Sequence, residues 1–148
     1  MAKQAGKYMA SGQPTLDDLA AHKSNGVVAV VNVRLPTEQA SLGFSEEEEV
    51  ISRGMKYLNI PISGPAELSE EKAKELDEFL NSVGDGCVLI HWQGGNRAAG
   101  LLTLRSMLAG ETLSVDEALS FGRELGMKAP VEGPVSELLN HMISQKDA

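Results

Sequence analysis

The apolar residues of this chain fall into short runs that predict β-strands. Runs at 27–33, 56–60 and 87–91 are each bounded by polar or glycine-containing segments. The first and the third are continuous rather than alternating, which is typical of strands covered on both faces in a parallel sheet. A shorter segment at 8–10 is predicted to add an edge strand.

Helical spacing of apolar residues fills the stretches between and after these strands. Four helices are predicted to begin after residues whose side chains cap a helix N-terminus: Thr15, Ser45, Ser69 and Ser114. A further helix is expected at 96–109, and Pro134 is expected in the first turn of the last helix. This order predicts an α/β fold of three layers, with a mostly parallel central sheet of four or five strands and helices on both faces.

The length and charge of the chain restrict what it can bind. The 148 residues predict one domain, residues 1–148, in which 1–7 form a flexible N-terminus. A net charge of −8 argues against nucleic acid and against anionic membranes as partners, and no apolar run is long enough to span a bilayer. Any anion must therefore be bound by a local positive site. A cytoplasmic location is expected, or a periplasmic one if a leader has been removed.

The acidic residues include one dense run, Glu46–Glu49. Because Ser45 precedes the run as an N-cap, and carboxylates are favourable near a helix N-terminus, we predict that the run is a solvated first turn. Elsewhere no grouping of Cys, His, Asp and Glu has the spacing of metal ligands. Neither a metal nor another cofactor is expected.

The segment with candidate chemistry follows the last predicted strand and reads His91, Trp92, Gln93, Gly94, Gly95, Asn96 and Arg97. The glycine pair lets the backbone bend and approach a ligand, and loop amides before a helix N-terminus favour an anion. Arg97 can donate to two anion oxygens, and Arg34, at the end of a central strand, is either a second anion ligand or part of a surface ion pair. Such glycine connections also occur without any ligand, so the spacing alone leaves both interpretations open.

The pattern formed by His91, Gly95 and Arg97 resembles a known phosphate-binding loop. Bacterial dual-specificity-phosphatase-like domains, also labelled beta-lactamase-hydrolase-like, typically carry His-Cys-x-x-Gly-x-Arg at this place. Three further segments resemble other parts of that family: 11–14, 31–34 and 57–62. The similarity extends over about residues 8–125. It implies a cysteine-phosphatase fold and a phosphate-like anion or a phosphorylated ligand as partner.

Two positions depart from the family pattern. The nucleophilic cysteine of the family falls on Trp92, whose indole offers no ionisable nucleophile. The only cysteine, Cys87, lies about 13 Å from position 91 along an extended strand, and we predict that it is a small buried core residue. The family's general-acid aspartate is missing from 60–67, where Glu67 is the nearest carboxylate. These changes predict a non-catalytic relative that binds an oxyanion.

Two alternatives remain open. Counting back as in phosphatases with a loop one residue longer places His91 at the nucleophile position, which would give an active phosphatase or hydrolase using His91 or an activated water. In the preferred alignment, which places the nucleophile position on Trp92, His91 instead hydrogen-bonds the loop and fixes its shape. In the second alternative the side chain of Trp92 plugs the loop, and the chain is a scaffold that binds no anion. An exposed Trp92 on which an aromatic ligand stacks is a further interpretation. By the resemblance Ser11 and Gln13 approach the loop, unless they form only a turn.

Overall fold

The predicted strands assemble into one five-stranded sheet. A computed structural model describes residues 3–35, 37, 42–64, 67–91 and 96–146. The strands are β1 (Lys3–Ala5), β2 (Tyr8–Ser11), β3 (Val27–Asn32), β4 (Lys56–Asn59) and β5 (Cys87–His91). Their order is β1-β2-β5-β3-β4, with β1 antiparallel to β2 and every other pair parallel. The predicted mostly parallel sheet is confirmed.

The described residues contain six helices, which cover both faces of the sheet. They are α1 (Leu16–Ser24), α2 (Glu46–Ser52), α3 (Glu70–Val83), α4 (Asn96–Leu108), α5 (Val115–Glu124) and α6 (Ala129–Lys146). Leu19 of α1 and Val50 of α2 pack against Leu89 on one face. The neighbouring Ile90 points into a larger core, to which α3, α4, α5 and α6 contribute. The alternation along β5 explains the three layers, and the predicted α/β sandwich is confirmed.

All four predicted capping residues occupy the N-cap position. The side chains of Thr15, Ser45, Ser69 and Ser114 each accept a hydrogen bond from the backbone amide three residues later. In α1 the side chain of Asp18 also accepts from the backbone of Thr15, which completes a capping box. These caps satisfy amides that have no partner within the helix.

The N-terminal residues differ from the prediction. Lys3–Ala5 form β1 instead of a flexible end, because their backbone pairs in antiparallel register with β2, Lys3 opposite Ala10. Strand β2 is consequently an inner strand, between β1 and β5, and not the predicted edge. The sequence of residues 3–5 has no apolar pattern that predicts this strand.

The last helix also begins earlier than predicted. Amides of Val131 and Glu132 both donate to the carbonyl of Lys128, so the first turn forms at the start of α6. Pro134 therefore lies inside the helix, where its missing N–H removes one intrahelical hydrogen bond. None of the helices in the described part of the chain is long and apolar enough to cross a membrane.

A buried arginine fastens α4 to the sheet near the amino ends of the strands. Arg105 donates to the hydroxyl of Tyr8, to Glu111 at 2.9 Å and to Asp77 at 3.0 Å. Burial raises the pKa of Tyr8 to about 12 against the opposing effect of the Arg105 charge. These hydrogen bonds connect β2 to α4, the helix whose first turn lies at the candidate site.

Candidate functional site

The carboxyl ends of the parallel strands meet the start of α4 through a ladder of hydrogen bonds. The amide of Val33 donates to the carbonyl of His91 at 3.0 Å, and the amide of Ile62 donates to the carbonyl of Val33 at 3.0 Å. Arg97, in the first turn of α4, donates from Nη1 to the carbonyl of Ile62 at 2.5 Å. We call the region formed by these four residues the carboxyl edge. Ligands of parallel α/β sheets bind beyond such an edge.

His91 ends β5 and forms a fully buried pair with a glutamate of another element. Its Nε2 lies 2.6 Å from Oε2 of Glu46, the first residue of α2, and neither side chain is exposed. Among the described residues the other ring nitrogen, Nδ1, is buried without a hydrogen-bond partner. A carboxylate bonded to one ring nitrogen fixes both the orientation and the protonation of the imidazole.

Two further side chains extend this pair. Gln13 donates from Nε2 to Oε1 of Glu46 at 2.5 Å and to the carbonyl of Pro14 at 3.1 Å. Its Oε1 accepts from Nη1 of Arg34 at 2.7 Å. We call Arg34, Gln13, Glu46 and His91 the buried relay. Arg34 is buried, and the relay connects it to His91.

The backbone around Arg34 is held by two asparagines. Oδ1 of Asn32 accepts from the Arg34 amide at 2.8 Å, and Nδ2 of Asn59 donates to the carbonyls of both residues. Asn32 also donates to the hydroxyl of Tyr57, whose pKa is raised to about 12, chiefly by burial. These contacts connect the ends of β3 and β4 and fix the position from which Arg34 reaches the relay.

Glu67, the nearest carboxylate to the expected general-acid position, is ionised at neutral pH. Its side chain accepts a hydrogen bond from the amide of Ser63, which lowers its pKa, and the charges of Lys72 and Arg97 act in the same direction. The side chain is exposed. A general acid at neutral pH needs a raised pKa, so this carboxylate is unsuited to protonating a leaving group.

The structure brings part of the predicted site together. His91 and Arg34 belong to the buried relay, Arg97 lies at the same edge, and Asn96 is the first residue of α4. The predicted site residues that lie outside the described residues are Trp92, Gln93, Gly94 and Gly95. Ser11 stands opposite His91 in the sheet, but its hydroxyl donates to the carbonyl of Gly12 within the local turn.

Sequence reasoning missed the role of Glu46. The prediction that the whole run Glu46–Glu49 is solvated is wrong, because Glu46 is 2% exposed and bonded to His91 and Gln13. Only the position directly after the N-cap Ser45 distinguishes it from the exposed Glu47.

Cys87 is half-buried at the start of β5 instead of fully buried. In the part of the chain that the structure describes, no three His, Cys, Asp or Glu side chains are grouped to hold a metal ion.

Solved structures of phosphatases share this fold over almost the whole chain. A DUF442-type phosphatase from Shewanella putrefaciens is 19% identical over 97% of this chain and 88% of its own, with a TM-score of 0.72. Tk-PTP in its active form is 26% identical over 94% and 96%, with a TM-score of 0.73. Kinase-associated phosphatase with its catalytic-site cysteine replaced by serine is 14% identical over 100% and 96%, with a TM-score of 0.81.

The fold is therefore that of the dual-specificity phosphatases. No protein-family model and no curated protein matches the sequence.

Proposed function

We propose that this chain is a phosphatase-like domain that binds a phosphate-like oxyanion, or a phosphorylated ligand, at the carboxyl edge without hydrolysing it. The observation that carries the proposal is the position of the only thiol. Cys87 begins β5 and pairs with Val27, whereas His91 ends the same strand. Four residues of extended strand separate the thiol from the carboxyl edge by about 13 Å.

The chemistry of cysteine phosphatases needs a thiolate that attacks phosphorus. No other cysteine exists in the sequence, and the position that matches the family's nucleophile holds Trp92. Glu67 carries a lowered pKa and is a poor proton donor to a leaving group. A phosphate ester at this edge therefore meets neither the nucleophile nor the acid of the usual reaction.

Binding of the anion has separate support from the residues at the edge. Arg97 lies in the first turn of the 13-residue helix α4, where the backbone amides and the helix dipole favour negative charge. Its contact with Ile62 holds the guanidinium beside the ends of β3 and β5. The chain carries a net charge of −8, so the guanidinium supplies the local positive charge that an anion requires.

Titration with orthophosphate and with tungstate tests the proposal. Trp92 is the only tryptophan, so its fluorescence reports on the loop without labelling, and calorimetry gives an independent affinity. We expect saturable binding that is lost in Arg97→Ala and weakened in Arg97→Lys, which keeps the charge but loses the forked donor. Arg123→Ala, which removes the same charge from a surface ion pair between α5 and α6, is the matched control. Absence of binding to the native protein would instead support the plugged scaffold.

Hydrolysis of an aryl phosphate tests the second half of the proposal. We expect no turnover above that of Arg97→Ala, and we expect that Trp92→Cys introduces activity if the rest of the loop retains the geometry of an active phosphatase. Turnover by the native protein that disappears with Arg97 would contradict the proposed lack of catalysis.

A second candidate function is favoured by one observation, the carboxylate that holds Nε2 of His91. With the proton on Nε2, the lone pair of Nδ1 can attack phosphorus while the bond to the leaving oxygen breaks; that oxygen takes a proton from water, and a second water later hydrolyses the phosphohistidine. The full burial of His91 weighs against this reaction. An acid-labile phosphate on His91, detected by mass spectrometry after a quench at alkaline pH, would establish it.

A further inference from the structure

In the buried relay each side chain donates to the next one, from Arg34 to Gln13 and from Gln13 to Glu46. The guanidinium of Arg34 has donors and no acceptor, so the amide oxygen of Gln13 must face it. The amide nitrogen of Gln13 then faces Glu46 and donates to Oε1. The orientation of this amide, which electron density alone rarely fixes, is here set by the arginine.

The direction of the relay decides which nitrogen of His91 carries a proton. Glu46 accepts from Gln13 on one oxygen, and its other oxygen faces Nε2 of His91. An ionised carboxylate only accepts hydrogen bonds, so the imidazole must donate from Nε2. In neutral His91 the other nitrogen, Nδ1, then carries the lone pair and is a hydrogen-bond acceptor.

Besides His91, the relay contains one acidic and one basic side chain. Glu46 and Arg34 are connected through the uncharged amide of Gln13. Among the described residues, Tyr57 on β4, whose pKa is raised, and His22 on α1, whose pKa is lowered chiefly by burial, interact electrostatically with the relay.

We propose that Glu46 is a positioning residue of the oxyanion site, which holds His91 as the Nε2–H tautomer and leaves Nδ1 as a buried acceptor at the carboxyl edge. The part that concerns the anion rests on the proposed function, whereas the tautomer does not. Glu46 is the only member of the relay that accepts from both neighbours, so the tautomer depends on this one carboxylate.

Glu46→Gln inverts the tautomer with almost no change in size. The oxygen of the new amide keeps accepting from Gln13, so its NH2 group faces His91. Nε2 must then accept, and the proton moves to Nδ1. Glu47→Gln is the matched control, because it removes the same charge from the adjacent, exposed position of α2.

Long-range ¹H–¹⁵N spectra of the imidazole rings measure the tautomer directly, without a ligand. We expect Nε2–H for His91 in the native protein and in Glu47→Gln, and Nδ1–H in Glu46→Gln. A native spectrum with the proton on Nδ1, or with both nitrogens protonated at pH 7, would overturn the inference without relying on any variant. An unchanged tautomer in folded Glu46→Gln would also overturn it.

An exchange of the two side chains supplies a rescue. In the double variant Gln13→Glu, Glu46→Gln, the carboxylate at 13 accepts from Arg34 and from the NH2 group at 46. The amide oxygen at 46 then faces His91, and the Nε2–H tautomer returns. Restoration is expected to be complete for the tautomer and partial for anion affinity, because the carboxylate at 13 cannot donate to the carbonyl of Pro14.

Phosphate affinity tests the positioning role. Exchanging the acceptor at Nδ1 for a donor is expected to weaken orthophosphate binding on the order of tenfold in Glu46→Gln, although this variant is less negative than the native protein. The double variant should recover part of the loss, and Glu47→Gln should bind at least as tightly as the native protein. Unchanged or tighter binding by Glu46→Gln with an inverted tautomer would overturn the role. No phosphate binding by the native protein would refute the proposed function, while the spectra still decide the tautomer.

Discussion

Removal of the Glu46 carboxylate should destabilise the fold as well as alter the site. Glu46→Ala takes away the acceptor for Nε2 of Gln13 and for Nε2 of His91. His91 is fully buried, so its Nε2 gains no access to bulk water. Gln13 is half-buried and keeps its hydrogen bond to the carbonyl of Pro14. The alanine retains the backbone of α2, so the effect isolates the carboxylate.

The size of the effect follows from the two donors that lose their acceptor. A buried donor without a partner costs about 1–3 kcal/mol, so the loss at His91 lowers the free energy of unfolding by about 1–3 kcal/mol, and the half-buried Gln13 adds less. For a chain of 148 residues this corresponds to a fall in Tm of roughly 2–12 °C. Glu46→Gln should lose much less, since its amide still pairs with both neighbours.

Urea unfolding followed by circular dichroism measures these differences. Linear extrapolation gives the free energy of unfolding for the native protein, Glu46→Ala, Glu46→Gln and the exposed control Glu47→Ala. We expect the largest loss in Glu46→Ala and little change in Glu47→Ala. A loss in Glu46→Ala no greater than in Glu47→Ala would refute the argument that the buried relay stabilises the fold.

Further predictions concern the packing of the helices and the two tyrosines. Gly100→Ala places a Cβ 2.6 Å from a side-chain carbon of Val131, which should cost about 1–3 kcal/mol in urea unfolding. At Gly133 a Cβ meets open space beyond the neighbouring residues, but the ring of Pro134 disfavours a helical backbone in a preceding residue that has a Cβ, so Gly133→Ala should change stability by less than about 1 kcal/mol. Tyr8 and Tyr57, the only tyrosines, should titrate at about 12 in phenolate absorbance. Because unfolded phenols ionise near 10, the contribution of these two tyrosines to stability should be constant below that pH and fall as the pH rises above it.

Sequence patterns predicted the elements that local forces determine. The apolar runs of β3 and β5 are continuous because these strands are covered on both faces, which is visible without any knowledge of the partner strands. The caps at Thr15 and Ser69 involve residues only three positions apart. Both kinds of feature depend on short segments of chain.

The buried relay depends on contacts between distant residues and was therefore not predictable from local patterns. Glu46 meets Gln13 from 33 positions away and His91 from 45 positions away. From the sequence alone, Glu46 and Glu47 are equivalent carboxylates in the first turn of a helix. Only tertiary packing buries one of them. Strand β1 was missed for a related reason, since its pairing with β2 leaves no apolar signature in residues 3–5.

The central claim, binding of a phosphorylated group without turnover, is tested most directly by ³¹P NMR of phenyl phosphate mixed with near-stoichiometric protein. The account predicts that the ester resonance broadens or shifts with the native protein, but not with Arg97→Ala, and that no orthophosphate signal grows with time. Growth of orthophosphate above the Arg97→Ala control would show that the domain is an active hydrolase. An ester resonance unaffected by the native protein would show that the carboxyl edge does not bind the group.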